Sequence, residues 1–108
     1  MTHAEYFTKL HSLHAPLRRQ QARTNATGLR YGSNSKEYAT EFRKEAGIIT
    51  ALSPQEWELW CSFCTTLFEE MVKIKGKPAA LAAIVELAQS MGEEQKPGWR
   101  TLYKKIAA

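Results

Sequence analysis

The residues best suited to metal chemistry occur as two pairs with the same spacing. Cys61 and Cys64 form a Cys-x-x-Cys, and His11 and His14 form a His-x-x-His. Two thiolates and two imidazoles are a common tetrahedral zinc set, so these four side chains are one hypothetical site. The alternative is that the cysteines are core residues, because they lie on a long apolar stripe in which thiols behave as small hydrophobic side chains. We favour that alternative and predict no metal and no other cofactor.

Catalytic chemistry has little support in the sequence. The chain contains no Asp, and its 11 acidic residues are Glu residues that we interpret as helix-surface groups. No nucleophile stands in a recognisable motif, and nothing visible in the sequence orients the three histidines near the N-terminus as bases. We therefore expect a protein that is not an enzyme.

The net charge of +4 is unevenly distributed along the chain. Residues 1–40 contain six Lys/Arg and two Glu, and residues 71–108 contain seven Lys/Arg and three Glu. Residues 41–70 contain two Lys/Arg and six Glu, so both ends are basic and the middle is acidic. Basic ends suit contact with a polyanion. The alternative is an ordinary solvated surface in which the ends attract the middle.

The last predicted helix, which starts at Trp99, separates an apolar side from a basic side. A basic and hydroxylated helix face near a chain end is typical of residues that contact the phosphates and grooves of nucleic acid. The apolar side consists of Trp99, Leu102, Tyr103 and Ile106. The candidate nucleic-acid-binding residues on the other side are Arg100, Thr101, Lys104 and Lys105.

The stretch Thr101-Leu102-Tyr103-Lys104-Lys105-Ile106 resembles the recognition helix of helix-turn-helix proteins of the nucleoid inversion-factor type. The resemblance makes Ala82 to Met91 the supporting helix and implies that the last helix binds DNA. Gly92 to Gly98 connects the two helices with seven residues, whereas the motif normally has about three or four. A surface helix with ordinary lysines is the alternative.

A second basic segment lies near the N-terminus. Its candidate nucleic-acid-binding residues are Arg18, Arg19, Arg23 and Arg30, with Gln20, Gln21, Asn25 and Tyr31 interspersed. From Tyr6 to Lys36 the chain has no acidic residue. Arginine and amide side chains beside an aromatic ring suit nucleic acid. They suit the acidic surface of a protein partner equally well.

The fold that must position these residues is predicted to be all-α. We expect one domain, residues 1–108, built as a bundle of four to five helices around a central helix at about 53–75. Ser53 is a candidate N-cap, Pro54 suits the first helical position, and Glu56 completes a capping box. Gly76 is expected to end this helix.

The other helices are predicted from caps and apolar spacing. A first helix starts after Thr2 and is expected to break or kink at Pro16, because a proline removes a helical hydrogen bond and clashes with the preceding turn. A basic loop segment follows at about 17–36. Its first part, Leu17 to Arg23, can continue as a short polar helix, and Asn25 to Asn34 is its irregular part. Further helices are predicted from Ala79 to Met91, from Trp99, and from Ser35 with Tyr38, Ala39, Phe42, Ala46 and Ile49 on one face. Gly47 is expected to end the helix from Ser35 and to leave Ile48 to Leu52 as a connector.

These patterns favour a small basic nucleic-acid-binding protein, with DNA a better candidate than RNA. It would act as a DNA-binding regulator or accessory factor through its last helix and its arginine-rich N-terminal segment. The alternative is a non-enzymatic interaction module that binds an acidic protein surface and modulates a larger assembly. We expect a cytoplasmic protein without a membrane partner, because no apolar run approaches the roughly 20 residues of a membrane span. Three Trp and four Phe are many large rings for so small a core, so a homodimer fits both hypotheses.

Overall fold

Four α-helices and one short 3-10 turn make up nearly all of the chain in the computed structural model, which describes residues 1–108. Helix α1 spans His3–Tyr31, α2 spans Lys36–Lys75, α3 spans Lys77–Met91 and α4 spans Trp99–Ala107. The 3-10 turn covers Glu93–Gln95, between α3 and α4. The predicted all-α class and number of helices are confirmed.

The chain forms two compact units. One unit contains Ala4–Leu59, which is most of α1 and the first part of α2. The other contains Met1–His3 and Trp60–Ala108, with the remainder of α2, the 3-10 turn, α3 and α4.

The unit Ala4–Leu59 is an antiparallel helical hairpin, closed by residues 32–35. Gly32 has a φ of 90°, which a residue with a side chain rarely adopts, and its N–H donates to the Gly28 carbonyl at 2.9 Å. The Ser35 hydroxyl accepts a hydrogen bond from the Tyr38 N–H at 3.1 Å and donates to the Gly32 carbonyl at 2.7 Å. Ser35 therefore caps α2, as its sequence position predicts.

The part of the hairpin interface near residues 32–35 is polar, whereas Tyr6 and Leu52 are buried farther from this turn. Gln20 and Thr24 are buried one turn apart on α1. Gln20 Nε2 donates to Glu41 Oε2 at 2.6 Å, and the Thr24 hydroxyl donates to the Gln20 carbonyl at 2.9 Å. One further turn along, Gly28 lies so close to α2 that a Cβ there would be 3.0 Å from the Tyr38 ring. Hydrogen bonds and a close backbone approach thus join α1 to α2.

Two predictions for α1 are wrong. The helix continues through Pro16, which is exposed, and the stretch predicted as a loop from Asn25 is helical to Tyr31. Pro16 deprives one carbonyl of its N–H partner, at a position where solvent can replace it. Because Thr24 and Gly28 face α2, packing extends α1 across the residues that local composition assigns to a basic loop at 17–36.

The predicted start of the central helix at Ser53 is also wrong. Helix α2 is 40 residues long, begins at Lys36, and runs through Gly47, Ser53 and Pro54 before it ends at Lys75 as predicted. Leu52, predicted to lie in a connector, is buried within the helix. Tertiary packing on one helix face outweighs a local cap signal, whose effect on stability is about 1 kcal/mol.

The unit that contains Trp60–Ala108 holds most of the apolar core. Its buried residues are Trp60, Phe63, Cys64, Ala80, Ile84, Ala88, Leu102 and Ile106. Helix α3 ends, as predicted, before Gly92, which has a φ of 71° in the left-handed region. The 3-10 turn contacts both α3 and α4. Ile74 is 82% exposed, in the last turn of α2.

Candidate nucleic-acid interface

Helix α4 presents its cationic and hydroxyl side chains to solvent, because its apolar side packs. Leu102 and Ile106 are buried and lie one turn apart on one side of the helix. The exposed residues are the four candidates Arg100, Thr101, Lys104 and Lys105. Tyr103 is exposed at the edge between the two sides, with its ring 6.1 Å from that of Trp99, so it adds an aromatic surface beside the basic one.

The N-terminal arginines lie on a helix and not on a loop, because α1 continues to Tyr31. At about 100° per residue, Arg19, Arg23 and Arg30 fall on one side of α1, within about 40° of one another. All three are exposed, and they span about 17 Å along the helix axis. We call these three residues the arginine row. Arg18 lies about 100° around the helix from Arg19 and is not part of the row.

Arg18 contacts a histidine on its own helix. Its Nη2 atom lies 2.8 Å from Nδ1 and 3.0 Å from Nε2 of His11, and 3.4 Å from the His11 carbonyl oxygen. A neutral imidazole accepts at one of its two nitrogens, so the guanidinium group can donate to His11 without a carboxylate partner. The structure thus separates Arg18 from the other three arginines in both position and contacts.

The arginine row and the three cations of α4 form no ion pair. No carboxylate oxygen lies within 4.0 Å of the charged nitrogens of Arg19, Arg23, Arg30, Arg100, Lys104 or Lys105. Other cations are paired, for example Lys44 with Glu41 at 3.2 Å and Lys96 with Glu93 at 2.9 Å. The candidate residues therefore have no carboxylate in direct contact, although Arg23 interacts electrostatically with Glu41 at longer range.

The four side chains of the zinc hypothesis have other surroundings. His14 Nε2 lies 2.9 Å from Glu56 Oε1, and Cys64 is buried among the core residues of its unit. Burial, with Cys61 and then Glu93 nearby, raises the pKa of the Cys64 thiol to about 12. No three His, Cys or Glu side chains are grouped so that they could hold a metal ion.

A row of hydroxyl groups beside Lys105 was not predicted from the sequence. Ser62, Thr65 and Thr66 of α2 line a cavity of about 360 Å³ together with Cys61, Glu69 and Lys105. The hydroxyls of Thr65 and Thr66 donate to backbone carbonyls one turn earlier, at 2.8 and 3.0 Å. Their spacing along α2 is visible in the sequence, but their position beside α4 depends on tertiary packing.

The comparisons with known proteins assign no family to this chain. No protein-family model matches the sequence, and no curated protein or solved structure matches the chain. None of the helices is both long enough and apolar enough to cross a bilayer. A functional proposal therefore depends on the charges, exposure and contacts of the residues described above.

Proposed function

We propose that the protein binds nucleic acid, DNA in preference to RNA, and acts without catalysis as a small regulator or accessory factor. The arginine row carries the proposal. Its three guanidinium groups are exposed and form no ion pair on one side of α1, in a stretch from Tyr6 to Lys36 that has no acidic residue. The Arg30 guanidinium group lies over the Tyr31 ring, 5.2 Å from its centroid, and remains accessible. A guanidinium group can donate two hydrogen bonds to one phosphate, and its binding releases counterions from the nucleic acid.

The dimensions of the row support binding to a phosphate backbone. Over about 17 Å of axis, duplex DNA presents about ten phosphates when both strands are counted. Ala22 and Ala26 are exposed beside the row, so no long side chain obstructs an approaching strand on that side. A row of this length can contact several phosphates at once.

Helix α4 supports the same proposal from the other unit. Its exposed side carries three unpaired cations and a hydroxyl group, and it follows α3 and a short turn in the order of a helix-turn-helix. The cations suit phosphate contacts, whereas the Thr101 hydroxyl suits either phosphate or a base edge.

A salt titration of binding to a labelled DNA duplex tests the proposal. We expect the parent to bind with a steep inverse dependence of log affinity on log salt. Arg19→Gln with Arg23→Gln should reduce the slope by about 1.8, because each duplex contact contributes about 0.9. The matched control is Arg43→Gln with Lys73→Gln, which removes the same charge from exposed positions on α2.

Equal slopes for the row variant and its control would contradict the assignment to the arginine row. Affinity that does not change with salt would contradict nucleic-acid binding altogether. A parallel titration with an RNA duplex and a DNA single strand tests the preference for duplex DNA.

Exposed apolar side chains favour a second candidate function, that of a protein-interaction module. Phe42 is 54% exposed and Ile49 is 49% exposed, although both were predicted on an inward face of α2. Leu29 is 90% exposed on α1. Apolar surface of this kind marks interaction sites when it is contiguous. Co-purification with one protein that persists in high salt would favour this function over the first.

A further inference from the structure

A polar cavity lies between α2 and α4 in the unit that contains Trp60–Ala108, and we name it the hydroxyl cavity. Its lining residues are Cys61, Ser62, Thr65, Thr66, Glu69 and Lys105. We propose that this cavity binds a small zwitterion of the polar α-amino acid class. The inference is independent of nucleic-acid binding, because Lys105 lies about 100° around α4 from Lys104 and about 140° from Arg100.

The size of the hydroxyl cavity limits the ligand. Its volume is about 360 Å³, whereas sites for small molecules have volumes of about 300–1,000 Å³. Three hydroxyl groups, two charged groups and the thiol of the half-buried Cys61 line it. The cavity therefore suits a polar ligand with few non-hydrogen atoms, smaller than a nucleotide.

Two side chains of opposite charge line the cavity without pairing. Glu69 is on α2 and Lys105 is on α4. No cationic nitrogen lies within 4.0 Å of the Glu69 carboxylate, and no carboxylate oxygen lies within 4.0 Å of Lys105 Nζ. Glu69 would repel a ligand that is only an anion, and Lys105 would repel one that is only a cation. A ligand that carries both charges complements both side chains.

The threonine hydroxyl groups favour the ammonium group of such a ligand. Thr65 Oγ1 donates to the Cys61 carbonyl at 2.8 Å. Thr66 Oγ1 donates to the Ser62 carbonyl at 3.0 Å. Because a hydroxyl group has a single proton, both threonine oxygens are left as acceptors. An ammonium group has three donors and no acceptor, so it is the group that these oxygens can bind.

Helix geometry brings the Glu69 carboxylate to the same place. Glu69 follows Thr65 by four residues and Thr66 by three, so the three side chains share one side of α2. The rise from Thr65 to Glu69 is about 6 Å, which is about twice the length of a hydrogen bond. One ammonium group can therefore lie between the hydroxyl oxygens and the carboxylate.

The carboxylate of the ligand is assigned to Lys105 and Ser62. Lys105 Nζ has three donors on a flexible stem. The Ser62 hydroxyl makes no hydrogen bond within the chain, so its proton can be donated to the ligand. Ser62 precedes Glu69 by about 10 Å along α2, which leaves the two charged groups of the ligand a few ångströms apart. That separation is the one found in an α-amino acid.

Three related probes separate the two charges of the ligand. L-serine carries both, ethanolamine lacks the carboxylate, and 3-hydroxypropanoate lacks the ammonium group. Titrations of the full chain are followed by two-dimensional NMR, which detects weak binding from shifts of the backbone amides that line the cavity. We expect L-serine to bind about tenfold more tightly than either analogue, because each analogue leaves one charged side chain of the cavity without a partner.

Neutral variants test the two charged residues separately. Glu69→Gln should weaken binding of L-serine about tenfold without weakening that of 3-hydroxypropanoate. Lys105→Gln should have the same effect on L-serine without weakening the binding of ethanolamine. The matched controls are Glu70→Gln and Lys104→Gln, at exposed neighbouring positions that do not line the cavity. All four residues are exposed, so the variants are expected to fold, which circular dichroism checks.

Several results would overturn the inference. L-serine could shift none of the amides that line the cavity, or either analogue could bind as tightly as L-serine. Equal affinities of the Glu69→Gln and Glu70→Gln variants for L-serine would have the same meaning, as would equal affinities of the Lys105→Gln and Lys104→Gln variants.

Discussion

Gly28 and Gly47 are both inside helices, yet their surroundings differ. A Cβ at Gly28 would lie 3.0 Å from Cδ2 and Cε2 of Tyr38, whereas a Cβ at Gly47 would have no heavy atom within 4 Å. Glycine inside a helix lowers stability by about 0.5–1 kcal/mol relative to alanine. Alanine should therefore raise the stability wherever its Cβ has room.

We predict opposite outcomes for alanine at these two positions. Gly47→Ala should raise the free energy of unfolding by about 0.5–1 kcal/mol. Gly28→Ala should lower it by about 1 kcal/mol, because the Tyr38 ring must move from its packed position. Urea denaturation of the two variants measures both values, and equal stabilisation by the two changes would show that α1 and α2 are farther apart at Gly28.

Cys64 should be unreactive in the native protein. Burial raises the pKa of its thiol to about 12, so only about one molecule in ten thousand carries the reactive thiolate at pH 8. We expect iodoacetamide to modify Cys64 only after unfolding in guanidinium, and to reach the half-buried Cys61 first in the native chain. Mass spectrometry of the alkylated peptides checks the order, and native labelling of both cysteines at one rate would contradict it.

At the scale of the helices, the sequence offers two N-caps for α2, Ser35 and Ser53, and only Ser35 lies at the start of the helix. Ser35 accepts the Tyr38 N–H at 3.1 Å, whereas Ser53 lies inside the helix with its residue exposed. Ser35→Ala should therefore lower stability by about 1 kcal/mol, and Ser53→Ala should change it by less than about 0.5 kcal/mol. Thermal melts of the two variants compare these effects directly. A larger loss at Ser53 would restore a helix start there.

The hairpin contact at Glu41 should make stability depend on pH. The hydrogen bond from Gln20, then that from Lys44, lowers the pKa of Glu41 from its ordinary value of 4.5. A carboxyl group with a lowered pKa in the folded state stabilises above its unfolded pKa, and this contribution is lost as pH falls through the folded value. When the pH falls from about 6 to below 4.5, the free energy of unfolding should thus decrease more for the parent protein than for the Glu41→Gln variant. Melts across that range test this, with Glu37→Gln as the exposed control, and parallel curves for parent and Glu41→Gln would refute it.

The sequence predicts which stretches are helical better than where the helices end. The end of α2 at Lys75, the whole of α4 and the cap at Ser35 follow from local signals. Ser53 misleads because a cap changes helix stability by only about 1 kcal/mol, which the packing of Leu52 can exceed. Pro16 misleads because it is exposed, so solvent can hydrogen-bond the carbonyl that loses its partner.

The candidate site shows the same limit. The basic residues can be identified from their types alone, but the separation of Arg18 from the arginine row could not be predicted. It requires α1 to continue through Pro16 and on to Arg30, whereas the sequence predicts a break at Pro16 and a loop from Asn25. The hydroxyl groups beside Lys105 come from α2, and nothing in the sequence brings them to α4.

At the scale of the whole molecule, basic surface is present in both units. The arginine row belongs to the unit Ala4–Leu59, and Arg100 and Lys104 belong to the unit with α4. The slope of log affinity against log salt counts phosphate contacts, so contacts made by the two units contribute to it separately.

We therefore predict additive losses in the salt dependence of binding to a long DNA duplex. Arg19→Gln with Arg23→Gln, and Arg100→Gln with Lys104→Gln, should each flatten the slope by about 1.8, and the four changes together by about 3.6. The measurement is a salt titration of the parent and the three variants. If the slope for the variant with all four changes is no flatter than the slope for one of the double variants, the interface lies in a single unit.

The close approach at Gly28 has a consequence for the uniqueness of the fold. Two helices that meet through hydrocarbon alone can slide by one turn and recover much of their contact in the new alignment. The Gln20–Glu41 hydrogen bond does not prevent such a shift by itself, because Glu37 and Glu45 lie one turn on either side of Glu41. Gly28 does discriminate, because a shift that brings the Tyr38 ring to Thr24, one turn earlier on α1, places the ring against a side chain where Gly28 leaves open space. Gly28 and Tyr38 thus favour the observed alignment of α1 against α2 over that neighbouring one.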